Sequence, residues 1–521
     1  MTTSLSNAST AAGLQEREPA TTPTATAATA PPESAEAGGT TASRFIILTL
    51  CLALTLSTLA FGTVHSWTLA LFQLGAALVV VLWAADAWRT RALRLSRNVL
   101  QWPLVGLFVV GLIQLLPLWS GRPGGEGLPV EPVRALSLDP YATRFVLIQL
   151  AALFIYFAAT LVFINSPRRL RLLVRVLLIF GFLLALYGLL QYFVNPQQIY
   201  WLRQPSQAVP FGPFVNRHHF AACMEMLLAV PLGLLFAGAI ESDRRLLYLF
   251  SVALMSIALV MTGSRGGILS LAVEILFIVS LAGITGRKKR EREAEATETG
   301  GTRVRAALLR AALGLALIFG LLGSALFFGG EESLSRLVGT VNSDDPTSGR
   351  AQFWRGTLGV IEEYPFLGAG LGAFHVAYTR HDPLAGLLRL EQAHNDYLQI
   401  LADAGIVGGA LGLFFIVALF RMGLARTTQL ADKFRRGVVM GALAGCFAVL
   451  VHSFFDFPLH VTSNALLFLT LAALATLNGR VEDESVVRRG RRRRHRRHGQ
   501  HTPRQSAAPS MKTTFEDGAG V

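Results

Sequence analysis

The stretch FVLIQLAALFIYFAATLVFIN (residues 145–165), SPRR (166–169) and LRLLVRVLLIFGFLLALYGLLQYFV (170–194) decides the fold class. Each flanking run matches the roughly 20 apolar residues that an α-helix needs to cross a bilayer core of about 30 Å. The charges gather where the runs meet, at Arg168, Arg169 and Arg171. The segment reads as two membrane spans joined by a basic turn. Basic turns are retained on the cytoplasmic side.

Outward from this hairpin, hydropathy predicts about twelve spans. They lie near 45–64, 67–86, 100–119, 145–165, 170–194, 218–240, 246–262, 267–284, 307–329, 397–420, 437–455 and 461–478. The basic residues fall in alternate loops. Arg89, Arg91, Arg94 and Arg97 follow the second span, Arg244 and Arg245 the sixth, Arg287 to Arg290 the eighth, and Arg421, Arg426, Lys433, Arg435 and Arg436 the tenth. Positive-inside asymmetry therefore predicts an even number of spans with both termini cytoplasmic.

Composition agrees. Of 521 residues, 52% are hydrophobic and only 15% charged, with a mean hydropathy of +0.47. Soluble domains carry about 25% charged residues, so a soluble enzyme, a disordered protein and a coiled coil are excluded. Residues 1–43 form a Thr-, Ala- and Pro-rich head, expected to be disordered. Residues 479–521 carry much of the net charge of +14, centred on Arg488, Arg489, Arg491 to Arg494, Arg496 and Arg497. That run reads as a disordered cytoplasmic tail touching anionic lipid, and no nucleic-acid partner is expected. Cys51, Cys223 and Cys446 stand apart within apolar runs and suggest neither disulfides nor a metal site.

The intervening region, 44–478, is expected to form one transmembrane domain. Most of its outward loops are short, but one over about 330–396 is long. A long loop of this kind is usually functional. Three residues on the outward side suit chemistry on an anionic substrate. Arg265, in TGSRGG (262–267), adjoins a helix N-terminus, where the backbone and a guanidinium fork together favour phosphate. Arg350 opens a helix whose Phe353, Trp354, Thr357, Leu358 and Ile361 recur at amphipathic spacing. His394, in HNDYL (394–398), lies at a helix mouth capped by Asn395 or Asp396, where a neutral imidazole can take a proton from a hydroxyl. Taken singly, each has a plainer reading as an interfacial or surface residue.

Asn216, Arg217, His218 and His219 begin the sixth span, with Glu225 on the same helix face as His218. Glu225 and Glu274 are intramembrane acids suited to orienting the arginines or to carrying protons. His452, Asp456 and His460 flank the last outward turn. Asp344-Asp345 before Pro346 reads as a capped turn rather than a metal site, and Gly368 to Gly372 as a flexible turn rather than a nucleotide loop.

In order and spacing these segments resemble the O-antigen ligase and O-antigen polymerase superfamily. The resemblance rests on TGSRGG (262–267), on Gly349-Arg350 with Trp354 and the Pro365 to Gly372 turn, and on HNDYL (394–398). FVNRHHFA (214–221) and HSFFDFPLH (452–460) add to it, and together they span about 210–475. The resemblance implies an all-α, polytopic, glycosyltransferase C-type fold in the bacterial inner membrane, with a long periplasmic loop. It implies transfer of a glycan from an undecaprenyl-pyrophosphate carrier to a hydroxyl of lipid A core, a growing polysaccharide or a protein, with no cofactor and no metal. Arg265 and Arg350 match the family's pyrophosphate-binding arginines, and His394 matches its essential histidine. Asn216, Arg217, His219, Glu225 and Asn395 fall at supporting positions. Two other readings stand beside it: a multi-pass transporter or flippase for a lipid-linked or anionic solute, and a non-catalytic scaffold for polysaccharide assembly.

Overall fold

A computed structural model describes residues 40–118, 135–205, 208–294, 350–382 and 389–477. The helices are α1 (Thr41–Leu59), α2 (Ser66–Thr90), α3 (Gln101–Gln114), α4 (Pro140–Phe163), α5 (Pro167–Val194), α6 (Arg217–Phe236), α7 (Arg245–Met261), α8 (Arg265–Ala294), α9 (Arg350–Glu363), α10 (Phe374–Tyr378), α11 (Asp396–Gln429), α12 (Lys433–His452) and α13 (Thr462–Thr476). Among the described residues there is no strand, and nine helices are long and apolar enough to cross a membrane. The protein is a polytopic α-helical membrane protein.

Eleven of the predicted spans coincide with a helix. The span expected near 307–329, residues 1–39, the basic tail from 478 and Asp344-Asp345 lie outside the described residues. Two predicted spans are shorter than expected, α3 and α13. Helix α1 begins at Thr41, inside the segment expected to be disordered, because the Thr40 side chain accepts from Ser43 N–H and caps it. Side-chain caps start other helices too. Asp139 precedes Pro140, Ser166 precedes Pro167, and Asp432 caps α12.

Helix α6 is the axis of the bundle and is buried along nearly its whole length, from His219 to Phe236. Its closest partner is α12, and they meet backbone to backbone. A Cβ on Gly233 would fall 2.3 Å from Gly441 N and 2.4 Å from Gly437 O, so no side chain fits between them. Small residues four apart, such as Gly437 and Gly441, allow this approach in membranes, where packing rather than hydrophobicity drives helix association.

Helix α11 is broken. At Gly405 the backbone takes φ 63° and ψ −163°, which a side chain would oppose. The break leaves helix hydrogen bonds open, and the Pro365–Gly372 turn fills them. Ile406 N–H donates to Pro365 O at 2.8 Å, Ala369 N–H to Ala402 O at 2.8 Å and Gly370 N–H to Asp403 O at 3.1 Å. Gln114 of α3 ties both sides of this contact, donating to Leu367 O and Asp403 O and accepting from Leu371 N–H. The expectation of a flexible turn at Gly368 to Gly372 is therefore corrected. The glycines are there for close approach, since a Cβ on Gly368 would lie 2.3 Å from the Asp403 carbonyl carbon. Helix α9 forms from Arg350 as expected, but its buried face is Gly356, Thr357 and Val360, while Leu358 is 48% exposed.

Candidate active site

The N-termini of α6, α8, α9 and α11 and the turn between α12 and α13 converge at one end of the bundle. Asp456, in that turn, is the hub. Its carboxylate is closed from solvent, with 2% side-chain exposure. Oδ1 accepts from His394 Nδ1 at 3.2 Å and from Phe457 N–H at 2.9 Å, while Oδ2 meets Arg350 at 3.5 Å. Burial alone would raise the Asp456 pKa. The His394 hydrogen bond and the imidazoles of His218, His219 and His394 outweigh it and hold the carboxyl well below its usual range. It stays ionised.

His394 sits at φ 50°, in the left-handed region, immediately before the α11 cap. Asn395 is that cap, accepting from Tyr397 and Leu398 N–H at 3.0 Å, while its amide donates to Phe454 O at 3.1 Å. Asp396 is not the cap. It reaches back across the site, accepting from Ser453 Oγ at 2.7 Å, Leu459 N–H at 3.1 Å and His460 Nδ1 at 2.6 Å. The two segments are thus laced reciprocally: His394 pairs with Asp456, and Asp396 pairs with His460. Partial desolvation by its neighbours lowers the His460 pKa, but the hydrogen bond and charge of Asp396, with Asp403 adding, raise it overall.

His394 and His219 pack edge-on against Phe457, both with ring centroids 4.9 Å away. Phe353 of α9 stacks on His394 at 6.0 Å. Asn216 caps α6, accepting from His218 N–H at 2.9 Å, and Arg217 begins that helix. The His218 ring is hydrogen-bonded to Ser264 Oγ at 2.8 Å, and Ser264 in turn caps α8 through Gly267 N–H at 3.2 Å. Arg265 follows directly, exposed on the first residue of α8. Glu225 lies deeper and pairs with His452 at 3.2 Å.

The structure therefore brings His394, Arg350, His219 and the His218–Ser264 base of Arg265 to one wall. Asn216 and Asn395 support that wall through the backbone, and Glu225 stands beneath it. Sequence reasoning noted Asp456 only as flanking a turn. Its contacts lie 62 and 106 positions away, a distance no local pattern reports.

An ionised carboxylate thus holds a histidine beside an arginine within a helical membrane bundle, groups able to move a proton and to bind an anion. Residues 250–414 match the O-antigen ligase family model, and the resemblance to the O-antigen ligase and polymerase superfamily is borne out by that match. The match takes in Arg265, Arg350 and His394, and leaves Glu225, His452 and Asp456 outside it. Among curated proteins, none matches the chain. At the level the family supports, the protein is a multi-pass membrane enzyme of glycan transfer of the O-antigen ligase type.

Proposed function

We propose that the protein transfers a glycan from an undecaprenyl-pyrophosphate carrier to an acceptor hydroxyl at the periplasmic face of the bacterial inner membrane, with both termini cytoplasmic. The observation that carries this reading is Asp456, bonded to His394 on one oxygen and to Arg350 on the other. An ionised Asp456 accepts the Nδ1 proton of His394, which leaves Nε2 as the lone-pair nitrogen for general-base work. Arg350 gives one nitrogen to Asp456 and has other N–H donors for an oxyanion.

The acceptor hydroxyl oxygen attacks the anomeric carbon, and its proton passes to His394 Nε2. The bond from that carbon to the pyrophosphate oxygen breaks, and the electron pair stays on the pyrophosphate. Arg350 and Arg265 stabilise the charge that develops there, which in a water-poor site is worth more than in water. Because the pyrophosphate is already a good leaving group, the chemistry needs neither ATP nor a metal. An apolar groove of about 250 Å³ between α8, α11 and α12, lined by Phe277, Tyr397, Phe447 and Phe454, reaches the backbone that Asn395 holds. Its chemistry suits a polyprenyl chain.

The test is reconstitution. Purified protein with an undecaprenyl-pyrophosphate-linked glycan and a hydroxyl acceptor, in EDTA, is expected to release undecaprenyl pyrophosphate in step with product. Movement of the intact donor across proteoliposomes, without its cleavage, would replace this reading with the flippase one.

A further inference from the structure

Below the site, Glu225 of α6 and His452 of α12 are closed from solvent, with side-chain exposures of 0% and 1%, and His452 Nδ1 lies 3.2 and 3.3 Å from the two carboxylate oxygens. Two ionisable side chains so placed in a membrane bundle are expensive to bury. Replacing such a pair with apolar side chains of similar volume often leaves a protein equally or more stable. Stability therefore does not account for it.

What the imidazole touches does. A Cβ on Gly266 would lie 3.0 Å from His452 Cδ2 and 3.1 Å from Nε2, so the first turn of α8 rests on the ring. A Cβ on Gly267 would lie 2.8 Å from Ala221 Cβ. Ala221 and Glu225 are one turn apart on α6, so a single helix face contacts α8 and holds the imidazole. From the other side, His218 grips Ser264 at 2.8 Å. Arg265 lies between these two fixed points, Ser264 and Gly266.

We propose that Glu225 and His452 are positioning residues for Arg265. The carboxylate fixes the rotation of the imidazole, and the imidazole sets the height and direction of the α8 first turn that presents the guanidinium. A fork that must match phosphate in two directions is sensitive to such a tilt. This inference rests on the pyrophosphate role proposed above for Arg265.

The experiment measures binding of undecaprenyl pyrophosphate to the full-length protein in detergent, alongside its apparent unfolding midpoint. The paired replacement Glu225→Leu with His452→Leu is expected to keep the midpoint at or above that of the parent while weakening binding about tenfold. Gly266→Ala, which presses one methyl group on the ring, is expected to weaken binding too. Adding His452→Ala to Gly266→Ala is expected to recover part of that loss, although His452→Ala alone weakens binding. Arg265→Lys is the control. If it weakens binding while the Leu pair binds like the parent, or if the Gly266 and His452 effects simply add, the positioning role is overturned and the pyrophosphate role stands. If Arg265→Lys binds like the parent, the pyrophosphate role fails first. A Leu pair that unfolds early, with binding per folded molecule unchanged, would make the pair structural only and also overturn the inference.

Discussion

His394 Nδ1 lies 3.2 Å from Asp456 Oδ1, joining the residue before the α11 cap to the turn before α13. A histidine held this way presents the same nitrogen at every turnover. Replacing it separates base from binding. His394→Ala is expected to cut transfer by about 10²–10⁴-fold, the usual contribution of a positioned base, with donor still bound. His394→Gln is not expected to rescue, because an amide hydrogen-bonds but does not take the proton. Asp456→Asn keeps the shape but loses the charge that selects the tautomer, and should cost about 10²-fold or more. Steady-state kinetics on purified variants checks both, and near-parental turnover in either would remove the base assignment.

Arg265 and Arg350 predict a different signature. Lysine keeps the charge and loses the planar fork. Arg265→Lys and Arg350→Lys should each weaken undecaprenyl pyrophosphate binding by about tenfold, a loss on the scale of one charge-assisted hydrogen bond. The measurement is a binding titration on protein that still inserts. Equal affinity in both variants would exclude the pyrophosphate role.

Orientation is the third prediction. The alternating basic loops predict that the segment between α10 and α11 faces outward and the end of α8 inward. A periplasmic reporter inserted after Asp382 should be active, and one fused after Arg290 silent. The reverse pattern would put the wall of His394, Arg350 and Arg265 on the cytoplasmic side.

Much of the fold was legible in the sequence because a bilayer imposes a length and a charge asymmetry that single segments report. Hydropathy found α1 to α8 and α11 to α13, and helical spacing found α9. What a segment cannot report is its partner. Gly368 to Gly372 read as flexible because their neighbours, Ala402 to Val407, lie over thirty positions away and become visible only once α11 is seen to break at Gly405. The same holds at the site. His394, Arg265 and Arg350 stood out by residue type at a helix mouth, while Asp456, which joins two of them, looked like any acid in a turn. Glu225 was conspicuous as a charge in a membrane span, but its pairing with His452 spans 227 positions.

The break in α11 yields a stability prediction. Gly405→Ala would place a Cβ 2.3 Å from the Phe366 carbonyl, at a φ of 63° that costs about 1–3 kcal/mol even without the clash. The apparent unfolding midpoint should fall by at least about 1–4 °C, and further for the clash. Gly412 lies in the same helix with nothing within 4 Å of its Cβ position, so Gly412→Ala should leave the midpoint unchanged or slightly higher. Similar midpoints for both variants would mean that the turn does not dock on the break.

The last prediction concerns pH. His460 lies in the turn that carries Asp456, and its Nδ1 is 2.6 Å from Asp396 on α11. Partial desolvation by its neighbours would lower its pKa, yet the hydrogen bond and the charges of Asp396 and Asp403 raise it above the ordinary value. A group whose folded value is raised stabilises fully below its unfolded value, about 6.5, and loses that contribution as pH climbs through the folded value. The lacing between the two segments should therefore weaken on the alkaline side of about pH 6.5. Asp456 does not contribute in this window, because its pKa is held far below it and it is ionised throughout. Between pH 6 and 9 the apparent unfolding midpoint of the parent should fall more steeply than that of His460→Gln, which keeps a hydrogen-bonding side chain but does not titrate. Asp396→Asn should show the same flattened slope, since it removes the other half of the pair. Turnover should follow, because a loosened turn no longer holds Asp456 against His394. Parallel slopes for the parent and His460→Gln would mean that the imidazolium does not hold this end of the bundle together.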